Sequence, residues 1–89
     1  MKAIITVIGK DTTGIIAAVS SKCSEYKINI MDITQKVLDD TFAMIMMVDL
    51  TGLDVPMPKF VDSMEELGKS KGLIIHTMHE DIFNSMHKI

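Results

Sequence analysis

The alternation of apolar and polar residues predicts two strands and a helix in the first half of the chain. Residues 2–8 are β-branched and almost wholly apolar, as in a strand covered on both faces. From Thr12 or Thr13, either of which can cap a helix, apolar residues recur at helical spacing. This stripe consists of Ile15, Val19, Cys23 and Tyr26, with Ile16 beside it. Residues 29–38 alternate again and predict the second strand.

The alternation in that second strand assigns its side chains to two faces. One face is expected to carry Ile30, Asp32, Thr34 and Lys36, and the other Met31, Ile33, Gln35 and Val37. Asp39 and Asp40 are turn residues, and residues 41–50 resume the strand pattern. The two strands therefore predict a hairpin.

The second half of the chain predicts a helix, a fourth strand and a short tail helix. Helix residues follow a Gly- and Pro-containing loop, begin at Pro56 or Pro58, and end before Gly72. The apolar stripe of this helix is Met57, Phe60, Val61, Met64 and Leu67. Residues 73–79 form the fourth strand, and Asp81 is expected to cap a tail helix. The apolar residues of that tail are Ile82, Phe83, Met86 and Ile89.

This order of elements predicts an α+β fold. The sequence β-α-β-β-α-β is that of the ferredoxin-like sandwich, with a four-stranded antiparallel sheet and both main helices on one face. We expect residues 1–89 to form one domain, because 89 residues cannot supply a second core. The hydrophobic content of 47% makes disorder an unfavourable alternative.

One face of the predicted sheet is left without a cover. Ala43, Ile45 and Met47 alternate with the apolar residues 42, 44, 46, 48 and 50, so both faces of the third strand are apolar. Two helices cover only one face, and an exposed apolar sheet predicts a homodimer. The alternative is that the tail helix folds back over the open face.

Composition excludes several classes of function. The formal net charge is −3, and all basic side chains are Lys, so the chain offers no Arg forks or basic stripe for nucleic acid. The longest apolar run, residues 42–48, is too short to span a membrane. The single Cys23 cannot form an internal disulfide, and no secretory segment precedes the first strand, so we expect a cytoplasmic protein.

The polar residues do not suggest a metal, a cofactor or catalysis. His76 and His79 are expected on opposite faces of a strand, and His87 at a helix C-terminus, where an imidazolium is favourable. The paired carboxylates at residues 39–40, 65–66 and 80–81 suit turns and helix surfaces. Since no set of nucleophile, base and orienting group can be assembled, we expect a protein that is not an enzyme.

The most informative segment joins the first strand to the first helix, from Gly9 to Ile16. The glycines can serve simply to form a tight turn. Alternatively, a ligand carboxylate can pass Gly14 and approach the free N–H groups at the helix start, while the Asp11 carboxylate pairs with an ammonium group of the ligand. Asn29 is expected at the same end of the sheet, where it can hydrogen-bond either group. Together these groups describe an α-amino acid.

At these residues the chain resembles ACT domains, the regulatory modules of amino-acid biosynthetic enzymes. The resemblance runs from Ile8-Gly9-Lys10-Asp11 through residues 13–20 and Asn29-Ile30 to Asp32, Gln35 and Phe42-Ala43-Met44. It is nearest to the ACT domains of formyltetrahydrofolate deformylases and of the glycine cleavage system accessory repressor, and to small stand-alone bacterial ACT proteins. Thr13 departs from the Pro that many relatives carry.

The resemblance implies a homodimer that binds a small amino acid near its interface and modulates a partner enzyme or regulator. By it, Asp11, Thr12, Thr13, Gly14 and Ile15 form the ligand loop, and Asn29 and Ile30 the facing wall. Many members of the family bind no small molecule, so a ligand-free assembly module remains the alternative.

Overall fold

A computed structural model of the chain describes residues 1–86. The elements in order are β1 (Lys2–Lys10), α1 (Ile15–Glu25), β2 (Asn29–Leu38), β3 (Thr41–Asp49), α2 (Met57–Lys71), β4 (Leu73–His79) and α3 (Glu80–Met86). His87 and Ile89, to which the sequence assigned a helical end, lie outside the described residues.

The four strands form one antiparallel sheet in the order β2-β3-β1-β4, which confirms the ferredoxin-like arrangement. The register aligns Lys10 of β1 with Thr41 of β3, and Lys2 with Asp49. Strand β2 runs antiparallel to β3, so that Leu38 lies at the Lys10 end of the sheet and Asn29 at the Lys2 end. Strands β2 and β4 are the two edges.

The core lies between the sheet and the helices. Alternate residues of β3, from Phe42 to Val48, are buried on the helix side together with Ala3, Ile5 and Val7 of β1. Helix α1 contributes Ile15, Val19 and Cys23, and α2 contributes Phe60 and Met64. The Tyr26 ring meets the Phe60 ring edge to face, with centroids 5.4 Å apart. Burial raises the pKa of the Cys23 thiol to about 11.

A β-bulge in β2 changes the face assignment that alternation predicted. The register shifts between Ile30 and Asp32, so Met31 is the extra residue. Ile30 pairs with Val48 and therefore lies on the helix side with Ile33, Gln35 and Val37, whereas the sequence pattern had placed it with Asp32. Past the bulge, Asp32, Thr34 and Lys36 share the open face as predicted.

The open face of the sheet is partly covered. Ile4 is only 3% exposed although its partners Met47 and Met78 place it on that face, and α3 contacts both β1 and β4. Farther along, Ile8, Ile45 and Ile74 remain 50%, 48% and 62% exposed. The tail helix therefore leaves a large part of the apolar face in solvent, and its own Ile82 and Met86 are exposed too.

Three helix boundaries differ in detail from the sequence prediction. Gly14, not Thr12 or Thr13, occupies the N-cap of α1, and no side chain caps it. Helix α2 begins at Met57 with Pro56 as its N-cap, and Gly72 ends it in the left-handed conformation, as expected. Asp81 lies inside the first turn of α3, since β4 runs directly into Glu80.

Candidate functional site

The turn between β1 and α1 presents backbone donors. Gly14 has φ +87°, and its carbonyl accepts the first helical hydrogen bond from Ala18 N–H at 2.9 Å. The N–H groups of Ile15, Ile16 and Ala17 precede that bond, so they have no partner within the helix. The first turn of α1 contains no acidic side chain that would neutralise the positive end of the helix dipole.

The two glycines of this turn are required for different reasons. A Cβ at Gly9 would lie 2.6 Å from Leu73 Cδ2 and 3.1 Å from the Gly72 carbonyl oxygen, so Gly9 permits β1 to pack closely on the start of β4. A Cβ at Gly14 would meet no atom of residues 1–86 within 4 Å. Gly14 is required by its positive φ, and the space in front of it is open.

A cavity of about 280 Å³ lies between this turn and the helix-side face of β2. Its lining residues are Asp11, Thr12, Gly14, Ile15, Ile16, Ala17, Gln35, Val37 and Phe42. The cavity combines the helix start, one carboxylate, one side-chain amide and an apolar floor that includes the buried Phe42. The Asp11 N–H donates to the Asp40 carbonyl oxygen at 2.7 Å, which fixes the turn to the β2–β3 hairpin.

The structure brings together the loop part of the predicted site. Asp11, Thr12, Gly14 and Ile15 all line the cavity, and Thr13 lies in the same turn without lining it. Gln35, which belongs to the resemblance but not to the predicted ligand set, faces them from β2. Alternation already placed Gln35 and Val37 on one face of β2. Only the pairing of β2 with β3 shows that this face approaches the turn.

Asn29 and Ile30 do not join this cavity within one chain. Both lie at the start of β2, beside Asp49 and Val48, about 30 Å along the strand from the end that approaches the turn. The expectation that Asn29 opens β2 at the ligand end of the sheet was wrong. Helix α1 carries the chain back along the sheet, so β2 begins at the far end.

The far end of the sheet contains a carboxylate that is stabilised by hydrogen bonds. The Asp49 carboxylate accepts hydrogen bonds from Thr51 Oγ1 at 2.6 Å and Thr51 N–H at 2.9 Å. These bonds, the hydroxyl first, hold the pKa of Asp49 below its ordinary value of 3.8, and the Met1 amino group 3.7 Å away acts in the same direction.

The described residues contain no cluster of three or more His, Cys, Asp and Glu side chains placed to hold a metal ion. His76 pairs with Thr6 on the open face and His79 with Ala3 on the helix side, which confirms that they point in opposite directions. Within residues 1–86, no helix has the length and apolar character to cross a membrane.

Comparisons with known proteins agree with the fold. The family model described as ACT domain matches residues 2–77. A UPF0237 protein of Clostridium acetobutylicum is 51% identical over 89 residues, covering 100% of both chains. The solved structure of an ACT domain protein from Streptococcus pneumoniae superposes with a TM-score of 0.82 at 40% identity, covering 93% of each chain.

Two larger proteins share the fold at low identity. A formyltetrahydrofolate deformylase from Pseudomonas putida gives a TM-score of 0.79 at 12% identity, over 89% of this chain and 29% of that protein. A putative glycine cleavage system transcriptional repressor gives 0.71 at 21% identity, over 89% and 47%. The family model and the close relatives together show that this chain belongs to the ACT domain family.

Proposed function

We propose that this protein is a regulatory module, not an enzyme, that binds a small α-amino acid in the cavity at the start of α1 and acts as a homodimer on a metabolic enzyme or regulator. The observation that carries the proposal is the cavity itself. Unpaired N–H groups at a helix start, the Asp11 carboxylate and the Gln35 amide line a single space of about 280 Å³.

The chemistry of these groups matches the two ends of an amino acid. A carboxylate is stabilised by the N–H groups of residues 15–17 and by the helix dipole. The Asp11 carboxylate can accept from the ammonium group, and Gln35 can donate to or accept from either end. The apolar floor formed by Val37 and Phe42 suits a small aliphatic side chain.

The affinity should be weak. An amino acid has about seven heavy atoms, and at half the ceiling of about −1.5 kcal/mol per atom it gains about −5 kcal/mol. That free energy corresponds to a dissociation constant of about 0.1 mM, suited to sensing a metabolite.

The free edge of β2 supplies the homodimer contact. On the helix side, Ile33 and Val37 are 37% and 48% exposed, because α1 covers only the inner part of the sheet. A two-fold axis at Thr34 would pair β2 with its copy in antiparallel register. Asp32 of each copy would then lie opposite Lys36 of the other, a favourable cross-strand pair formed twice.

The same pairing completes the cavity. Antiparallel strands place the start of one β2 beside the end of the other, so Asn29 of each copy approaches the turn at Asp39 and Asp40 of its partner. That turn is bonded to Asp11. Asn29 and Ile30 would therefore serve as the facing wall across the interface, contributed by the second copy.

Calorimetry with each of the twenty amino acids at millimolar concentration tests the proposal. We expect at least one small amino acid to give heat with the original chain. The same amino acid should give no heat with the Gly14→Leu variant, because the leucine side chain fills the approach to the N–H groups. Gly72→Leu is the matched control: Gly72 also has positive φ and open space around its missing Cβ, but lies outside the cavity. Absence of heat with all twenty would refute the proposal.

A ligand-free assembly module is the second candidate, favoured by the exposed Ile8, Ile45 and Ile74 on the open face. The Gly14→Leu variant separates the two functions. A sensor loses ligand heat while its dimer mass in light scattering stays unchanged, whereas an assembly module shows no ligand heat to lose.

A further inference from the structure

Strand β4 is the second edge of the sheet, and within residues 1–86 it lacks the features that usually protect an edge. Edge strands are commonly blunted by Lys, Pro, a bulge or a covering element. Residues 73–79 contain neither Lys nor Pro, and β4 pairs with β1 without a register shift. The outer edge of β4 is therefore suited to accept another strand.

Helix α2 forms a wall along this edge. Residues at four-residue spacing on α2, which lie on one side of a helix, line two concavities whose other wall is β4. These residues are Met57, Val61, Glu65 and Lys69. We call the channel formed by these four residues and residues 73–79 the β4–α2 groove.

The two halves of the groove differ in chemistry. The half beside Thr77 to His79, about 350 Å³, is lined mainly by apolar side chains, from Met57, Pro58 and Val61 of α2 and Ile82 of α3, together with the Asp62 carboxylate. The half beside Leu73 to His76, about 210 Å³, is lined by Glu65 and Lys69. One half thus suits an apolar side chain and the other a charged one.

The charge along the groove selects the partner. Asp62 and Glu65 line the groove together with Lys69, and the exposed Glu66 lies beside them in a small concavity that all four side chains share, an excess of two negative charges. A second copy of this chain would bring its own three carboxylates against these, which is unfavourable. A segment that carries Lys or Arg would instead be attracted.

We propose that the β4–α2 groove binds an extended, basic segment of a partner protein, which adds to the sheet as a fifth strand beside β4. Backbone hydrogen bonds to the free edge supply a part of the affinity that does not depend on sequence. Side chains on one face of the segment meet α2, with an apolar residue near Met57 and a basic residue near Glu65. The proposal does not depend on amino-acid binding, since the groove and the cavity lie at opposite edges of the sheet.

Titration of the full chain with synthetic octapeptides tests this. The probes are Thr-Val-Thr-Val-Thr-Lys-Thr-Lys and the same sequence reversed, since a strand can add in either direction. We expect one of them to bind with a dissociation constant of about 0.1 mM, an affinity typical of weak peptide contacts. The β4 amides should shift in NMR spectra and gain protection from hydrogen exchange.

Two altered peptides serve as controls. A peptide in which Glu replaces Lys should bind more weakly. N-methylation of alternate backbone amides should abolish binding when the methylated amides are those that face β4. No binding by either probe at about 1 mM, ten times the expected dissociation constant, would overturn the proposal. Equal binding of the Glu peptide or of all N-methylated peptides would overturn it too.

Charge reversal in the protein locates the contact. Glu65→Lys should weaken binding of the basic peptide by about five-fold or more, because one attraction between exposed charges is lost and one repulsion is gained. Glu25→Lys, on the exposed surface of α1, is the matched control and should bind as the original chain does. Unchanged binding by Glu65→Lys would place the peptide elsewhere. The Gly14→Leu variant should bind the peptide normally, so failure here and failure of the amino-acid proposal are distinguishable.

Discussion

Individual residues determine the geometry of the β1–α1 turn. Glycine is required at position 9 by the close approach of Leu73. It is required at position 14 by a positive φ that non-glycine residues adopt only at a cost in free energy. The sequence predicted the turn but assigned the cap to Thr12 or Thr13. Both hydroxyl residues suited an N-cap, and only the backbone conformation of Gly14, which depends on how the chain leaves β1, distinguishes the three positions.

A prediction at the residue scale concerns Asp49. Thr51→Val removes the hydroxyl that donates to the Asp49 carboxylate, so the pKa of Asp49 should rise toward 3.8. The backbone N–H of residue 51 remains, so part of the depression should persist. An NMR titration of the carboxyl carbon measures this, with Thr12→Val as a remote control.

The sign of the stability effect follows from the depressed pKa. The folded state favours the ionised carboxylate, so the contribution of Asp49 is fully present above its ordinary pKa and is lost as pH falls through the lower folded value. Thr51→Val should therefore reduce stability at neutral pH more than at a pH below the folded pKa of Asp49. An unchanged Asp49 pKa in the variant would contradict the role given to the hydroxyl.

Among the elements, α2 and β4 make a close backbone contact that the sequence did not anticipate. A Cβ at Gly68 would lie 2.7 Å from the Leu73 carbonyl oxygen and 3.1 Å from Ile75 Cγ1. Gly68 thus lets α2 lie against the backbone of β4. The predicted stripe of large apolar residues on α2 was correct, but a glycine within a helix carries no periodic signal.

Gly68→Ala should therefore destabilise the fold although Ala favours helices. Relief of the clash requires α2 to move away from β4, at a cost of about 1–3 kcal/mol, larger than the gain of about 1 kcal/mol in helix propensity. Urea unfolding measures the difference. Lys69→Ala, at an exposed neighbour, should change stability little, and a Gly68→Ala protein more stable than the original would contradict this packing.

The strands show where pattern is sufficient and where it fails. The bounds of β2 and β4 are those that the sequence pattern predicted, although in β2 only Ile30 is not exposed, so there the pattern marks the strand and not its burial. The bulge at Met31 was not visible, since one extra residue leaves the local pattern of apolar and polar residues readable in two ways. The predicted location of Asn29 was wrong for a topological reason. Helix α1 reverses the chain direction, so β2 starts at the end of the sheet that lies away from the ligand turn.

At the scale of the whole molecule, the element order and the fold were predictable, and the assembly is proposed from the surfaces left uncovered. Both helices cover one face of the sheet, and α3 covers only the part of the other face around Ile4. The exposed edge of β2, its charges at Asp32 and Lys36 and the separated halves of the predicted site all agree with one two-fold pairing. In that dimer the edges of β4 remain free at both ends of the sheet.

Complementation between two inactive variants tests this shared site most directly. Asn29→Ala and Gly14→Leu should each remove the heat of amino-acid binding when measured alone. In an equimolar mixture after subunit exchange, about half of the dimers are mixed, and each mixed dimer regains one intact site from Gly14 of one copy and Asn29 of the other. We expect the mixture to recover about a quarter of the original binding sites by calorimetry. No recovery, with exchange verified by mass spectrometry, would contradict a site built by two copies of the chain.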